Sequence, residues 1–256
     1  MELSSLLRVI CRAQQEAGRL MLSARNVLAE EKSGRRDVVT QYDRQVQQFL
    51  TAALSAQVPG AAFYCEELAE TCPLDGERVF IIDPIDGTMN FLKGLNHSCI
   101  SVAFASGGQV LAGAVYNPYA REQFTAEKGK GAFLNGSPIR AADTPLSGSL
   151  VHFGTSPYCD GAAGDTFALA RRVYGASLDV RRRGSAALDL CDVAAGRVGL
   201  YFELSLSLWD YAAGALLVRE AGGVVTRMDG GPLPFDGSKP SLLAGSRRCV
   251  EEFLKL

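Results

Sequence analysis

Histidine and tryptophan are nearly absent from this 256-residue chain, which holds two of the first and one of the second. His97 and His152 are not placed as a zinc motif. So few imidazoles leave acid–base chemistry to carboxylates or to metal-bound water. No cysteine pair stands at C-x-x-C spacing, and the seven cysteines are odd in number. A zinc site or disulfide framework is therefore not expected; free, mostly buried thiols in a reducing cytosol are. No run approaches the roughly 18 apolar residues of a membrane span. The start, Met1-Glu2-Leu3-Ser4-Ser5, has no basic leader ahead of an apolar stretch and does not read as a signal peptide. Nor is there a basic excess: 26 Lys plus Arg stand against 28 Asp plus Glu, a formal charge of −2. The cluster Arg181-Arg182-Arg183 is too short for a polybasic arm, so nothing points to non-specific nucleic-acid binding. What remains is globular in character, 47% hydrophobic and 21% charged. The length fits one large domain or two closely packed halves.

Leu3, Leu6, Leu7, Ile10, Ala13, Ala17 and Leu20 fall at helical spacing, which predicts an amphipathic helix over 3–30. A charged loop follows from Glu30 to Arg36, then a second helix over 43–57 closed by Pro59-Gly60. The period then shortens. Residues 61–65 and 79–82 read as buried strands, and 100–105 with 110–116 as a hairpin. Residues 123–127 and 131–134 continue an antiparallel sheet, with a turn at Asn135-Gly136. Another strand covers 149–153. After Asp160 the helical period returns, through Phe167, Leu169, Ala170 and Val173. Val180 sits in a short strand, and 185–197 is a helix of small residues. A strand at 200–203 precedes a helix over 208–221 with a Gly222-Gly223 C-cap. Strands at 224–225 and 242–243 and a short terminal helix complete the chain. An N-terminal half, 1–145, and a C-terminal half, 146–256, are expected to form one compact unit of helix and sheet layers.

The informative segment is Val79-Phe80-Ile81-Ile82-Asp83-Pro84-Ile85-Asp86-Gly87-Thr88. An apolar strand runs into an Asp. Pro84 lacks an N–H for a central ladder, so the strand is expected to stop there. Asp86-Gly87-Thr88 reads as a turn that opens a helix. Two carboxylates at a strand end beside a helix N-terminus suit a cation and a phosphate together. An ordinary Asp-Gly turn has the same pattern. Glu66-Glu67 follows another strand, and Asp210 opens the helix Leu208-Trp209-Asp210-Tyr211-Ala212-Ala213-Gly214. Carboxylates at element ends from distant parts of the chain match the oxygen preference of magnesium.

Asp83-Pro84-Ile85-Asp86-Gly87-Thr88 together with Trp209-Asp210-Tyr211-Ala212-Ala213-Gly214 resembles the two signatures of the inositol monophosphatase family. Its members are magnesium-dependent, lithium-sensitive phosphomonoesterases. Asp37-Val38-Val39-Thr40-Gln41-Tyr42-Asp43 is similar to the family's early Asp segment, Cys65-Glu66-Glu67 to its paired-Glu segment, and Gly184-Ser185-Ala186-Ala187-Leu188-Asp189 to its substrate loop. All five stand in family order across nearly the whole chain. The resemblance implies a layered α-β-α-β-α sandwich of α/β (α+β) class and a homodimer; the thiols, charge and hydropathy above add the expectation of a cytoplasmic protein with neither nucleic-acid nor membrane partners. It implies hydrolysis of a small phosphorylated polyol, above all inositol 1-phosphate, by metal-activated water.

The same resemblance implies the roles. Glu66, Asp83 and the Ile85 carbonyl hold one Mg2+, and Asp83, Asp86 and Asp210 a second, with Mn2+ able to substitute. Water near Glu66 and Thr88 is the nucleophile, Thr88 being oriented by Asp43. Backbone N–H groups of Gly87 and Thr88 bind phosphate. Gly184, Ser185, Ala186, Glu203, Asp86 and Asp210 contact substrate, and Lys32 matches a loop lysine near the site. The departures are Cys65, where Gly or Ser is usual, Leu95-Asn96, and Leu206-Ser207-Leu208; they bear on substrate choice. Relatives with these motifs cleave 3'-phosphoadenosine 5'-phosphate, fructose 1,6-bisphosphate or histidinol phosphate. The Ala186-Ala187-Leu188-Asp189 form favours the inositol branch. A regulatory partner of the transcription machinery is the alternative of another class.

Overall fold

The computed structural model describes residues 2–68, 72–159 and 161–256. Helix α1 (Leu3–Ser23) is followed by strands β1 (Ala29–Gly34) and β2 (Asp37–Thr40) and helix α2 (Gln41–Gln57). Strands β3 (Ala62–Cys65) and β4 (Val79–Asp86) lead into the short helix α3 (Thr88–Leu92). Then come β5 (Cys99–Ser106), β6 (Gln109–Asn117), β7 (Glu122–Glu127), β8 (Ala132–Leu134) and β9 (Ser137–Ile139). The remainder is β10 (Leu150–Phe153), α4 (Ala162–Ala176), β11 (Asp179–Arg181), α5 (Ala186–Ala194), β12 (Leu200–Glu203), α6 (Leu208–Glu220), β13 (Val224–Thr226), β14 (Leu242–Gly245) and α7 (Arg247–Phe253).

Strands β3 to β9 lie in sequence order in a seven-stranded sheet, antiparallel except for the β3–β4 pair. A five-stranded sheet has the order β11-β10-β12-β14-β13. Strand alternation explains the layering, because successive side chains point to opposite faces. In β4, Phe80 and Ile82 join Leu6, Ile10, Val46 and Leu50 of α1 and α2, whereas Val79 and Ile81 join Leu190, Ala213 and Leu217 of α5 and α6. In β12, Tyr201 faces that same α5–α6 layer, and Leu200 and Phe202 face Val173 of α4 and Phe253 of α7. Both sheets are thus covered on both faces, giving the expected α-β-α-β-α sandwich. Every residue of α5 is buried, as its place between two sheets demands. A Cβ on Gly214 of α6 would lie 2.6 Å from Leu190 Cδ1, so the two central helices pack this closely only with glycine there.

The structure corrects the sequence reading in three places. Helix α1 ends at Ser23, not at residue 30, and the expected 30–36 loop is the β1–β2 antiparallel hairpin. Its exposed, charged residues carry no alternation to read. Strand β4 does not stop at Pro84. It runs to Asp86 through a bulge, pairing Asp83 with Ser101 and Asp86 with Cys99. Two β4 residues there oppose one on β5, so the missing Pro84 N–H costs no ladder bond. Strand β9, which pairs with β8, was not expected. All seven cysteines are free thiols; Cys65, Cys99, Cys191 and Cys249 are buried and Cys159 is exposed. Among the described residues no helix is long and apolar enough to cross a membrane.

Candidate active site

Element ends meet at a cleft of about 620 Å³. Glu66, Asp83, Ile85, Asp86, Gly87, Thr88, Gly184, Ser185, Ala186, Glu203, Asp210 and Lys32 all line it; Asp43 lies behind it. Glu66 is aimed by β3, whose ladder with β4 ends in a bond from Glu66 N to Ile82 O at 3.2 Å. The Lys32 ammonium reaches in from the β1–β2 hairpin and donates to Glu66 Oε1 at 2.9 Å and to Glu67 Oε1. Burial pushes the Glu66 carboxyl up to about 7, against the pull of Lys32.

Asp83 sits on β4, 2% exposed. Its Oδ1 is buried with no hydrogen-bond partner. Burial first, then the charges of Glu66, Asp86 and Asp210, hold its carboxyl well above the usual range. Burial and the charges of Asp86 and Glu66 do the same to Asp210. One Asp210 oxygen, Oδ2, accepts from Ser207 N at 2.8 Å as half of a capping box for α6. That leaves the other oxygen for further chemistry.

The β4 bulge carries Asp86 across to the start of α5. There Oδ2 accepts from Ser185 Oγ at 2.6 Å and Ala187 N at 2.7 Å, and Oδ1 from Ala186 N at 3.3 Å. Burial raises the Asp86 carboxyl, and these donors oppose the rise. The bonds join the strand signature to the substrate loop 100 residues on. Gly87 makes the approach feasible. Its φ is +87°, and a Cβ there would stand 3.1 Å from both Gly184 O and His97 O.

Thr88 Oγ1 lies 3.1 Å from Asp43 Oδ1 and 3.0 Å from Ile85 O. Asp43 is fully buried, with Oδ2 held by the backbone N–H and hydroxyl of Thr40, the N-cap of α2. Burial pushes its carboxyl up to about 6. On the far wall Glu203 accepts from Ser156 N and from Tyr201 OH, each at 2.6 Å. Its carboxyl is raised to about 7, again chiefly by burial. Gly154 leaves it room: a Cβ there would fall 1.8 Å from Glu203 Oε2. Thr155, Tyr158, Arg182 and Lys239, none of them expected at the site, also line the cleft, as does Asp189 of the substrate loop. The first two belong to the loop after β10, whose irregular backbone gave no periodic signal.

Among the described residues no three His, Cys, Asp or Glu side chains are drawn together as a ready-made metal cage. Uncompensated carboxylates repel at such range, and Lys32 engages Glu66. The donor set nevertheless fits a hard divalent cation. It is all oxygen, it includes the unpartnered Asp83 Oδ1, and it lies in one cleft with the Ile85 carbonyl.

The raised carboxyls also set the sign of a pH effect. Unfolded Asp and Glu lose their protons near pH 4. In the folded chain Asp43 does so at about 6, and Glu66 and Glu203 at about 7. The native state binds more protons across that window, so without metal its stability falls as pH rises through it. A divalent cation binds the ionised groups and restores stability. In a thermal-melt series, Mg2+ added to EDTA-stripped protein is expected to raise Tm more at pH 8 than at pH 5. Equal shifts at both pH values would count against a carboxylate cation site.

A family model described as the inositol monophosphatase family matches residues 2–255. The chain is 39% identical to an inositol-1-monophosphatase of Mesorhizobium japonicum, over 98% of this chain and 96% of that one. It is 36% identical to the Nus factor SuhB of Escherichia coli, over 97% of this chain and 94% of the relative. Among solved structures, the extragenic suppressor protein suhB from Bartonella henselae superposes with a TM-score of 0.91 at 36% identity, covering 98% of this chain and 97% of the other.

Proposed function

The chain belongs to the inositol monophosphatase family and is a phosphatase; from that premise we propose that it hydrolyses a small phosphate monoester of a polyol, inositol 1-phosphate above all, with Mg2+. The observation that carries the reading is the convergence of Glu66, Asp83, Asp86 and Asp210 on one cleft, with a buried Asp83 oxygen that no protein group satisfies. In this reading Glu66, Asp83 and the Ile85 carbonyl would hold one Mg2+, and Asp83, Asp86 and Asp210 a second, Mn2+ being able to substitute. Bound there, the ions supply Lewis-acid stabilisation of phosphate charge and activation of water.

The chain's own groups do the rest. Asp43, fixed by the α2 cap, accepts from the Thr88 hydroxyl and so turns the hydroxyl lone pairs outward to take a proton. With Glu66, which lines the same cleft, Thr88 directs the attacking water. The N–H groups of Gly87 and Thr88 take phosphate oxygens. Ser185, Ala186 and Ala187 hold Asp86, and Gly184, Ser185 and Ala186 meet the near side of the polyol. Glu203 and Asp210 accept polyol hydroxyls, a task suited to carboxylates. Lys32 tunes Glu66 through their contact. The enzyme is read as a cytoplasmic homodimer.

Phosphate release from inositol 1-phosphate, fructose 1,6-bisphosphate, 3'-phosphoadenosine 5'-phosphate and histidinol phosphate, with Mg2+ and with EDTA, tests this. Mg2+-dependent turnover with inositol 1-phosphate among the good substrates is expected. If it is the poorest of the four, the assignment fails. The SuhB relatives named as Nus factors favour a second reading, in which the chain also binds transcription machinery. A pull-down from cell extract with a catalytically silent variant checks it separately.

A further inference from the structure

A trough of about 730 Å³ runs beside α1 on the seven-stranded sheet, on the face turned away from α5 and α6. It exists because two helices do not cover seven strands. On this face α1 and α2 pack over β4, β5 and β6, against Ile82, Val102 and Ala114. Strand β7 lies beyond them and alternates. Phe124 and Ala126 turn to α5 and α6, while Gln123, Thr125 and Glu127 turn to the α1 side and floor the trough. Phe133 of β8 pairs with Thr125 and shares its face. Its ring is half-buried, and among the described residues it joins none of the apolar cores. The opposite wall is a single stripe of α1, positions 4, 7, 8, 11, 12 and 15. No residue lines both this trough and the catalytic cleft.

The lining is incomplete in two ways. Gln123 is 8% exposed and donates its amide N–H groups to Gln14 Oε1 at 2.9 Å and Val115 O at 3.4 Å, yet its Oε1 is buried with no hydrogen-bond partner. A buried acceptor left without a donor is unfavourable. The rim is cationic without counter-charge. Arg8 and Arg12 stand one helical turn apart and are in no ion pair among the described residues, Arg8 donating to Ser5 Oγ at 2.8 Å. The acid of the trough, Glu127, does not serve them, since it is held by Lys130 and by the Ser4 hydroxyl. The other walls, Leu7, Cys11 and Phe133, are apolar. Burial pushes the Cys11 thiol up to about 12, so it stays a neutral, soft contact. From Ser4 to Gln15 the wall is roughly 16 Å long, at 1.5 Å per helical residue.

We propose that the trough is a second ligand site, for a small organic anion built on rings: its charge on Arg8 and Arg12, its rings against Leu7, Cys11 and Phe133, and an N–H or O–H of its own toward Gln123. The arginine fork suits the oxygens of a carboxylate, sulfonate or phosphate. A fluorescent probe of that chemistry is 2-(p-toluidino)naphthalene-6-sulfonate, and N-phenyl-2-naphthylamine keeps the rings and the N–H but lacks the charge. Titration of the full chain is expected to show one saturable site per chain for the sulfonate, with the uncharged compound at least about tenfold weaker, the size of one charge-assisted contact. Arg8→Gln combined with Arg12→Gln should weaken the sulfonate by a similar factor and flatten its salt dependence; both side chains are exposed, so the variant should melt with the wild type and turn over substrate equally fast. The bound sulfonate should slow alkylation of Cys11 by N-ethylmaleimide and leave the exposed Cys159 unchanged, read by peptide mass. Inorganic phosphate with Mg2+ should not displace it. Equal affinity for the charged and uncharged probes, affinity that survives loss of both arginines, no protection of Cys11, or displacement by phosphate with Mg2+ would each overturn the proposal.

Discussion

Replacing Asp83 by Asn is expected to lower phosphate release by about 10³-fold or more while raising the melting temperature in EDTA at pH 8. The two effects share one cause. Asp83 is 2% exposed, has an unpartnered buried oxygen, and is surrounded by Glu66, Asp86 and Asp210, whose charges push its own carboxyl pKa up. A buried charge among like charges is a liability unless a cation compensates it. Asparagine keeps the shape and removes the charge, so the metal-free fold gains. The same change takes away a ligand shared by both proposed ions. Several kcal/mol of transition-state stabilisation depend on such ions, and each 1.36 kcal/mol is about tenfold in rate. Opposite signs separate this outcome from simple misfolding, which lowers both quantities. A variant that melts lower than wild type in EDTA, or keeps a tenth of the activity, removes Asp83 from the centre of the site.

What the sequence revealed tracks how local the physics is. The unbroken apolar run Val79-Phe80-Ile81-Ile82 was legible as a buried strand because each residue faces one of two apolar layers. The acids were legible because Asp86 and Asp210 sit where a strand ends and a helix begins, and Asp83 sits just before the bulge in that strand, the usual place for a site carried on rigid elements. The bulge at Pro84 was not, since a proline predicts only that a ladder bond is lost and not how the pairing recovers. The β1–β2 hairpin escaped for want of an apolar face. The Asp43–Thr88 contact spans 45 residues and came only from the family likeness. Arg182 was legible only as the middle of three successive arginines; that Arg181 pairs with Asp179 and Arg183 with Asp192 is a property of the fold.

Gly87→Ala is the companion test, aimed at the geometry that joins the two signatures. The backbone at Gly87 is left-handed, with φ of +87°, and its Cα faces the Gly184 carbonyl and Ser185. Alanine meets two costs there. The left-handed conformation takes roughly 1–2 kcal/mol from a residue with a Cβ. The new methyl, 3.1 Å from two backbone oxygens, forces a shift of similar cost. A total of about 2–4 kcal/mol lowers Tm by roughly 5–15 °C in a chain of this size. Any shift there separates Asp86 from Ser185 Oγ and Ala187 N, bonds of 2.6 and 2.7 Å, and displacements near 1 Å cost about 10²-fold in rate. Gly94→Ala supplies the control. Gly94 is also left-handed, with φ of +64°, but nothing lies within 4 Å of a Cβ placed on it. It should show the conformational cost alone and keep near-normal turnover. If the two variants are equally active, the close approach of the strand signature to the substrate loop is not what holds the site together.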